Sequence, residues 1–323
     1  MSYGVEMSGA LRLTASSLSS GRFLQPGRLL ELELEGSLES PAVSLSATLQ
    51  CDEAIDGFGE VRLTDESRTV FSGRCDESRT VLGEEGLLLR LEARSRGALL
   101  LDNEAQPVTL WGANLSTIFR RHVAPYGFGL SGGTGGGTLA VFPVQKGMSE
   151  WEVFAGFCRR ITGASPWVRG EMVMAEEPAY GSPRLMISNE GEGVPFTELE
   201  RVLSPYRMLT KVVLRDENKL YSSSVSNSAA VYYGVSRKRY VTPSTEFEDN
   251  PGLDANQRIR RSMWEAEEWV VTIPRLIEVA AGDGVEIRQK GFSKTGLLVN
   301  RWQWQMGAQG GFTRLWARRA EHL

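Results

Sequence analysis

The sequence is poor in imidazole and thiol and lacks any long apolar run. Two histidines, His122 and His322, occur in 323 residues. A metal centre, or a nucleophile activated by histidine, needs an imidazole held by a second group. Two distant histidines, one of them a residue from the C-terminus in what reads as a tail, argue against both. No Gly-x-Ser-x-Gly and no His-Glu-x-x-His phrase occurs. The three cysteines, Cys51, Cys75 and Cys158, form no Cys-x-x-Cys pair, so neither a zinc site nor a redox dithiol is expected. They read as small buried hydrophobes, and a Cys51–Cys75 bridge is open but not required. No charged segment followed by an apolar one marks a secretory leader, and no run approaches the length that spans a bilayer. The expectation is a chain made and folded in a cytoplasm. Positive charge is not in excess either, the formal net charge being −4, whereas a protein that grips phosphates carries a basic face.

What is present is enough apolar material, 41% of residues, to build more than one core. Leu30, Leu32 and Leu34 alternate with Glu31, Glu33 and Glu35. Val43, Leu45, Ala47 and Leu49 alternate with Ser44, Ser46, Thr48 and Gln50. Val61 and Leu63 repeat the pattern, and a weaker strand is predicted over 11–15. Turn residues at Pro26-Gly27, Asp56-Gly57 and Asp65-Glu66 separate these runs. Phe71 to Ala105 is the most organised stretch. A strand at 70–75 is followed by Leu87, Leu89, Leu91 and Ala93 in strict period two, then by Ala98-Leu99-Leu100-Leu101 and the turn residues Asp102-Asn103. Short strands with one dry face predict a small antiparallel barrel over residues 1–105.

The pattern then changes. Leu115, Ile118, Phe119 and Val123 recur at helical spacing, with Asn114 as N-cap and Pro125 ending the helix. The glycine-rich loop 131–138 leads into a strand-like run, Leu139 to Phe142, and not into Gly-Lys-Ser/Thr, so it is no phosphate cradle; Ser293-Lys294-Thr295 lacks the preceding glycine. Ser149 and Glu152 form a capping box. Trp151, Phe154, Ala155, Cys158 and Ile161 make the apolar stripe of the helix it opens, with Gly163 as its stop. A hairpin carrying Val168, Met172 and Met174 follows. Residues 106–204 thus read as an α/β module.

Strands are predicted again at 211–214, 221–226 and 230–235. A polar loop, 242–252, and a helix over 255–268 capped by Asp254 come next. Arg258, Arg260 and Arg261 on that helix read as a solvated face balanced by Glu265, Glu267 and Glu268. Val285 with Ile287, Leu297 with Val299, and Trp302 with Trp304 alternate towards a final glycine hairpin, which predicts a second barrel over 205–323 with the helix inserted in it. Trp302, Trp304 and Trp316 have two meanings, barrel filling or a sugar-stacking face. Paired carboxylates have no diagnostic spacing; the acidic clusters Glu176-Glu177 and Glu190 to Glu192 are expected to be solvated loops. No catalytic, cofactor-binding or metal-ligating residue is assigned, and no cofactor is expected. The fold class is β-rich α+β, with two small antiparallel barrels and an α/β module between them.

The phrases Phe71-Ser72-Gly73, Ala98-Leu99-Leu100-Leu101-Asp102, Pro125-Tyr126-Gly127, Gly147-x-Ser149-x-x-Glu152, Gly282-Asp283-Gly284-Val285 and Gly310-Gly311 occur in that order. In this order the chain resembles the late-control-protein-D-like hub proteins of phage tail baseplates. Residues 131–138 and 236–256 match no phrase of that group, and no lysozyme, peptidase or spike domain is appended. The resemblance implies a structural, non-enzymatic trimer with two similar barrels per chain. Six barrels in a ring would let a threefold central spike meet a sixfold tail tube. The implied partners are copies of itself, the tube protein, the spike protein and other baseplate proteins. DNA would be a transient passenger in the channel, and the acidic balance of the chain suits a bore that DNA must traverse without sticking. The implied location is the virion tail, assembled in the host cytoplasm. Two rivals stand beside this: a carbohydrate-binding or carbohydrate-active β protein using the C-terminal tryptophans, and a cell-wall hydrolase carried on a tail.

Overall fold

Alternating apolar residues become the inner face of one large sheet. The computed structural model describes residues 10–55, 57–133, 137–216, 218–242 and 251–322. The first region contains β1 (Leu11–Ser17), β2 (Phe23–Leu24), β3 (Arg28–Ser37), β4 (Ser44–Cys51), β5 (Phe58–Asp65), β6 (Arg68–Gly83), β7 (Gly86–Ser95) and the short helix α1 (Ala98–Asp102). Leu34 faces Leu45, and Ala47 faces Leu91, across antiparallel ladders. All four are buried while the residues between them are not. A slip of one residue would turn each leucine to water, so the pattern holds the register.

The middle region contains β8 (Val108–Ala113), α2 (Leu115–His122), β9 (Gly129–Ser131), β10 (Leu139–Val144), α3 (Glu150–Thr162), β11 (Trp167–Arg169) and β12 (Met172–Met174). Asn114 caps α2 by accepting from the Thr117 amide at 2.9 Å. Both bonds of the capping box form at the start of α3, Ser149 Oγ from Glu152 N and Glu152 Oε2 from Ser149 N. Gly163 ends α3 at φ 78°. Trp151, Phe154 and Cys158 lie in a core separate from that of the large sheet.

Next come β13 (Leu185–Ile187), β14 (Glu198–Leu203), β15 (Lys211–Leu214), β16 (Ser223–Ser226), α4 (Ser228–Tyr232), β17 (Lys238–Val241), α5 (Pro251–Trp264), β18 (Glu267–Ile273), β19 (Gly284–Ile287), β20 (Lys294–Gly307) and β21 (Gly310–Arg319). Strands β15, β16 and β17 form a small sheet. It packs on α5 through Val212, Leu214, Ala255 and Ile259.

The remaining strands join those of the first region in a thirteen-stranded sheet, ordered β14-β18-β21-β20-β3-β4-β7-β6-β5-β1-β2, with β19 on β20 and β13 on β19. On one edge β20 pairs with β19 from Lys294 to Leu298, then with β3 from Arg301 to Met306. The register shifts between Val299 and Arg301, which puts Asn300 in a bulge. The bulge changes the phase of alternation, so Leu297 and Val299 before it and Trp302 and Trp304 after it are all buried.

The structure is β-rich, 47% strand and 18% helix, and it departs from the sequence-based expectations in several places. The two barrels expected as separate bodies are halves of one continuous sheet with one shared core. Among the described residues no ladder closes either half on itself. Strands β13 and β14, inside the span assigned to the middle module, pair with β19 and β18. The strand expected at 230–235 is instead helix α4, because Asn227 accepts from the amides of Ala229 and Ala230 and nucleates a turn. The helix expected at 255–268 runs Pro251–Trp264. Its expected cap, Asp254, lies inside the first turn and pairs with Arg258 at 2.6 Å. The helix stops early because Glu267–Ile273 is claimed by the ladder to β14. Asp56 of an expected turn, residues 134–136 of the glycine-rich loop and residues 243–250 of the polar loop lie outside the described residues.

Gly73 shows why a phrase of the form Phe-x-Gly closes this region. A Cβ there would stand 2.3 Å from the Arg94 carbonyl oxygen and 2.7 Å from Cζ of Phe71. The ring covers a backbone contact that only glycine allows. Gly73→Ala is expected to destabilise the protein by about 1–3 kcal/mol in urea unfolding. Gly83→Ala, where a Cβ meets nothing within 4 Å, should leave the midpoint unchanged.

Candidate functional site

The surface that distinguishes this molecule is the seam between the two halves of the sheet. On its buried side Trp302 lies opposite Gly36 and Trp304 opposite Leu34. Their rings pack 5.6 Å apart. Gly36 leaves room for the indole, since a Cβ would meet Trp302 Nε1 at 2.8 Å. Trp304 Nε1 donates to the Ile277 carbonyl at 2.9 Å, so neither its ring nor its polar edge faces water. On the outer side Arg301 donates to Glu35 at 2.7 Å and Gln303 to Glu33 at 2.8 Å. Arg301 also lies 4.5 Å over the ring of half-buried Trp316.

Charged groups tie the halves together elsewhere. Arg68, at the start of β6, bonds Glu278 at 2.5 Å, and Arg184 bonds the same carboxylate at 2.7 Å. Asp283 is held by Arg169 at 2.5 Å. Buried Glu267 accepts from Arg201 at 2.8 Å and Arg319 at 2.5 Å, which pins β14, β18 and β21 together. Burial pushes the Glu267 and Glu278 carboxyls up, but the bonds and charges of their arginines outweigh it and hold both below the usual carboxylate range. A general acid needs a shift in the opposite direction.

The histidines also have structural partners. His122 is buried, with Nδ1 2.5 Å from Glu150 Oε2, and Tyr126 donates to Glu150 Oε1 at 3.2 Å. Burial holds His122 below its ordinary value, against the pull of Glu150. Its Nε2 is buried without a hydrogen-bond partner, which favours the neutral ring. His322 lies 3.8 Å from its neighbour Glu321. No group of three His, Cys, Asp or Glu that could hold a metal occurs among the described residues.

The tryptophan question has a geometric answer. Trp302 and Trp304 are filling and half-buried Trp316 lies under Arg301, so the three do not form a solvent-facing row. Arg258, Arg260 and Arg261 are paired, as a solvated face would be, but with Asp254, Glu177, Glu265 and Glu39. Glu267 and Glu268, expected to balance them, serve Arg319 and Arg318 instead. Glu177 is therefore an ion-pair member and not a free loop residue. All three cysteines are free. Cys51 and Cys75 lie opposite Leu87 and Ala93 of β7, six residues apart, which is too far for a bridge. Burial pushes the Cys158 thiol up to about 12. Among the described residues no helix is long and apolar enough to cross a membrane.

Sequence analysis passed over one surface. Tyr206, Tyr221, Tyr232, Tyr233 and Tyr240 are all exposed. The signal was there to be counted: five of the eight tyrosines fall between 206 and 240.

Two solution measurements follow. Glu267→Gln keeps the shape but leaves Arg201 without its anion and Arg319 with Glu321 alone, and should cost about 3 kcal/mol in urea unfolding at neutral pH. His122 has its folded pKa lowered, so its contribution is whole above the unfolded value of about 6.5 and is lost as the pH falls from there towards the folded value. The urea midpoint should drop between about pH 7.5 and pH 5.5, and His122→Gln should reduce that drop to the part left by His322, whose value burial also lowers. The lowered carboxylates do not interfere, because their contributions persist above about pH 4.3 and fade only below it.

No protein-family model matches the chain, and no curated protein matches it. Solved structures do. A 43 kDa tail protein of prophage MuSo2 from Shewanella oneidensis matches with a TM-score of 0.80 at 12% identity, covering 97% of this chain and 99% of that one. A tail protein from Neisseria meningitidis MC58 matches with a TM-score of 0.77 at 11% identity, covering 96% of each. The E. coli c3393 protein is described as a type VI secretion component similar to the T4 bacteriophage tail proteins gp27 and gp5. It matches with a TM-score of 0.59 at 12% identity, covering 95% of this chain and 76% of that one. This β-rich architecture thus shares its fold with solved phage and prophage tail proteins and with a type VI secretion component.

Proposed function

We propose that the chain is a structural hub of a phage tail or a phage-derived injection device. In this proposal it is a trimeric adaptor that joins a sixfold tail tube to a threefold central spike and forms part of the channel. The observation that carries it is the pairing of two sheet halves, seven strands β1 to β7 and six strands β13, β14 and β18 to β21, along the β3–β20 ladder. Each half would act as one barrel-like unit, with the part of 106–204 that precedes β13 as the module beside them. Three chains would then present six such units, which meets a sixfold ring on one side and a threefold axis on the other. The continuous ladder and the Arg68–Glu278 tie hold the two units at a constant spacing, as a load-bearing ring requires. Tube, spike and neighbouring baseplate proteins are the proposed partners, with DNA as a passenger only. The virion tail is the proposed location.

Burial of Trp302 and Trp304 and the downward shifts of Glu267 and Glu278 support this over a carbohydrate-active or wall-degrading protein. Two measurements test it. Mass determination on the assembled tail tip should give three copies of the chain, and any other number sinks the adaptor. Zymography of the purified chain on peptidoglycan should show no clearing; a lytic band would mean an enzyme.

A further inference from the structure

One surface combines exposed aromatics with unneutralised cations. Residues 205–241 contain seven Lys and Arg against two Asp and Glu, leaving 29 against 38 in the rest of the chain. In the β16-β15-β17 sheet, Val212 and Leu214 are buried against α5 while Lys211 and Val213 alternate to the other side. Lys238 and Tyr240 of β17 stand in register with Lys211 and Val213, so a lysine pair and a tyrosine share the outer face. Tyr221 meets Tyr240 edge-on at 5.2 Å, and Tyr232 meets Tyr233 at 5.6 Å. Tyr232 is 88% exposed and Tyr206 75%. Neither Lys211 nor Lys238 forms an ion pair among the described residues. Tyrosine is a residue of interface cores, since it presents a large rigid face at low entropic cost.

A surface of opposite character lies on the seam. Exposed Glu31 and half-buried Glu33 of β3 form no ion pair among the described residues. They line a groove of about 630 Å³ whose walls include Met306 and Phe312, near the turn between β20 and β21. The groove is anionic at its β3 side and apolar at its far end, complementary to a face of lysine and tyrosine.

We propose that the tyrosine–lysine lobe of one copy docks in the Glu31/Glu33 groove of the next. This rests on the ring of copies proposed above and names the contact that closes it. A second copy is the occupant because one chain carries both charge patterns, segregated and exposed. Two unlike surfaces on one chain make a head-to-tail contact, the kind that generates rings.

Charge reversal with recombination tests the contact by sedimentation velocity on the full chain. Lys211→Glu with Lys238→Glu, or Glu31→Lys with Glu33→Lys, should each weaken self-association about tenfold or more at low salt. All four substitutions together should restore most of it. Glu31 and Lys238 are exposed and Lys211 and Glu33 half-buried, Glu33 also accepting from Gln303 across the seam, so unchanged thermal melting is the check that each variant folds. Tyr232→Ser with Tyr240→Ser should weaken association without altering its salt dependence. Wild-type association indifferent to either reversal, or a fourfold variant that fails to recover, overturns the inference. A wild type that stays monomeric at its highest soluble concentration also overturns it, whereas three copies in the assembled tip would leave the hub reading intact. A labelled oligonucleotide bound by the wild type and released by the lysine reversals would assign the lobe to nucleic acid instead, which also overturns it.

Discussion

Strand β20 changes partner on one edge, from β19 to β3, and this single change makes one sheet of two. The bulge at Asn300 allows it. Without the extra residue, the residues paired with β19 and those paired with β3 could not bury the same face. The consequence is a pair of tryptophans, Trp302 and Trp304, placed where the two halves meet. Large rings at such a junction contribute most of the apolar area available there, and Gly36 provides the depth they need.

Charge has a mechanical part in this architecture. Glu267, Glu278 and Asp283 are each held by arginine, and each joins segments distant in sequence. The arginines hold Glu267 and Glu278 ionised in spite of their burial. A carboxylate clamped in this way is a poor proton donor and a good tie. The same logic applies to His122, whose burial beside Glu150 and Tyr126 joins α2 to α3. Chemistry-bearing side chains are present, but their surroundings commit them to holding elements together.

Much of this was legible beforehand where a local rule decides the outcome. The leucines of β3, β4 and β7 announced both their strands and their buried face, because period-two alternation has few other solutions. The capping box at Ser149 and Glu152 and the stop at Gly163 placed α3 almost to the residue. Errors came where distant partners decide. The stretch 230–235 has the composition of a strand, yet Asn227 turns its start into α4. Glu267 and Glu268 continue the helical spacing of α5, yet pairing with Leu203 and Val202 of β14 draws them into a strand. The tyrosine surface went unremarked because exposure, and not residue type, gives it meaning.

By itself the sequence determined the strands, the helix caps, the scarcity of histidine and cysteine, and the ordered phrases that resemble tail hubs. These follow from periodicity and short-range hydrogen bonding, which act within a few residues. Only the tertiary structure decided that the two β-regions are continuous, that Trp302 and Trp304 face inward, and which arginine holds which carboxylate. Those depend on pairings between residues as far as 274 positions apart, such as Met306 with Leu32, and no local pattern encodes which strand edge will find which.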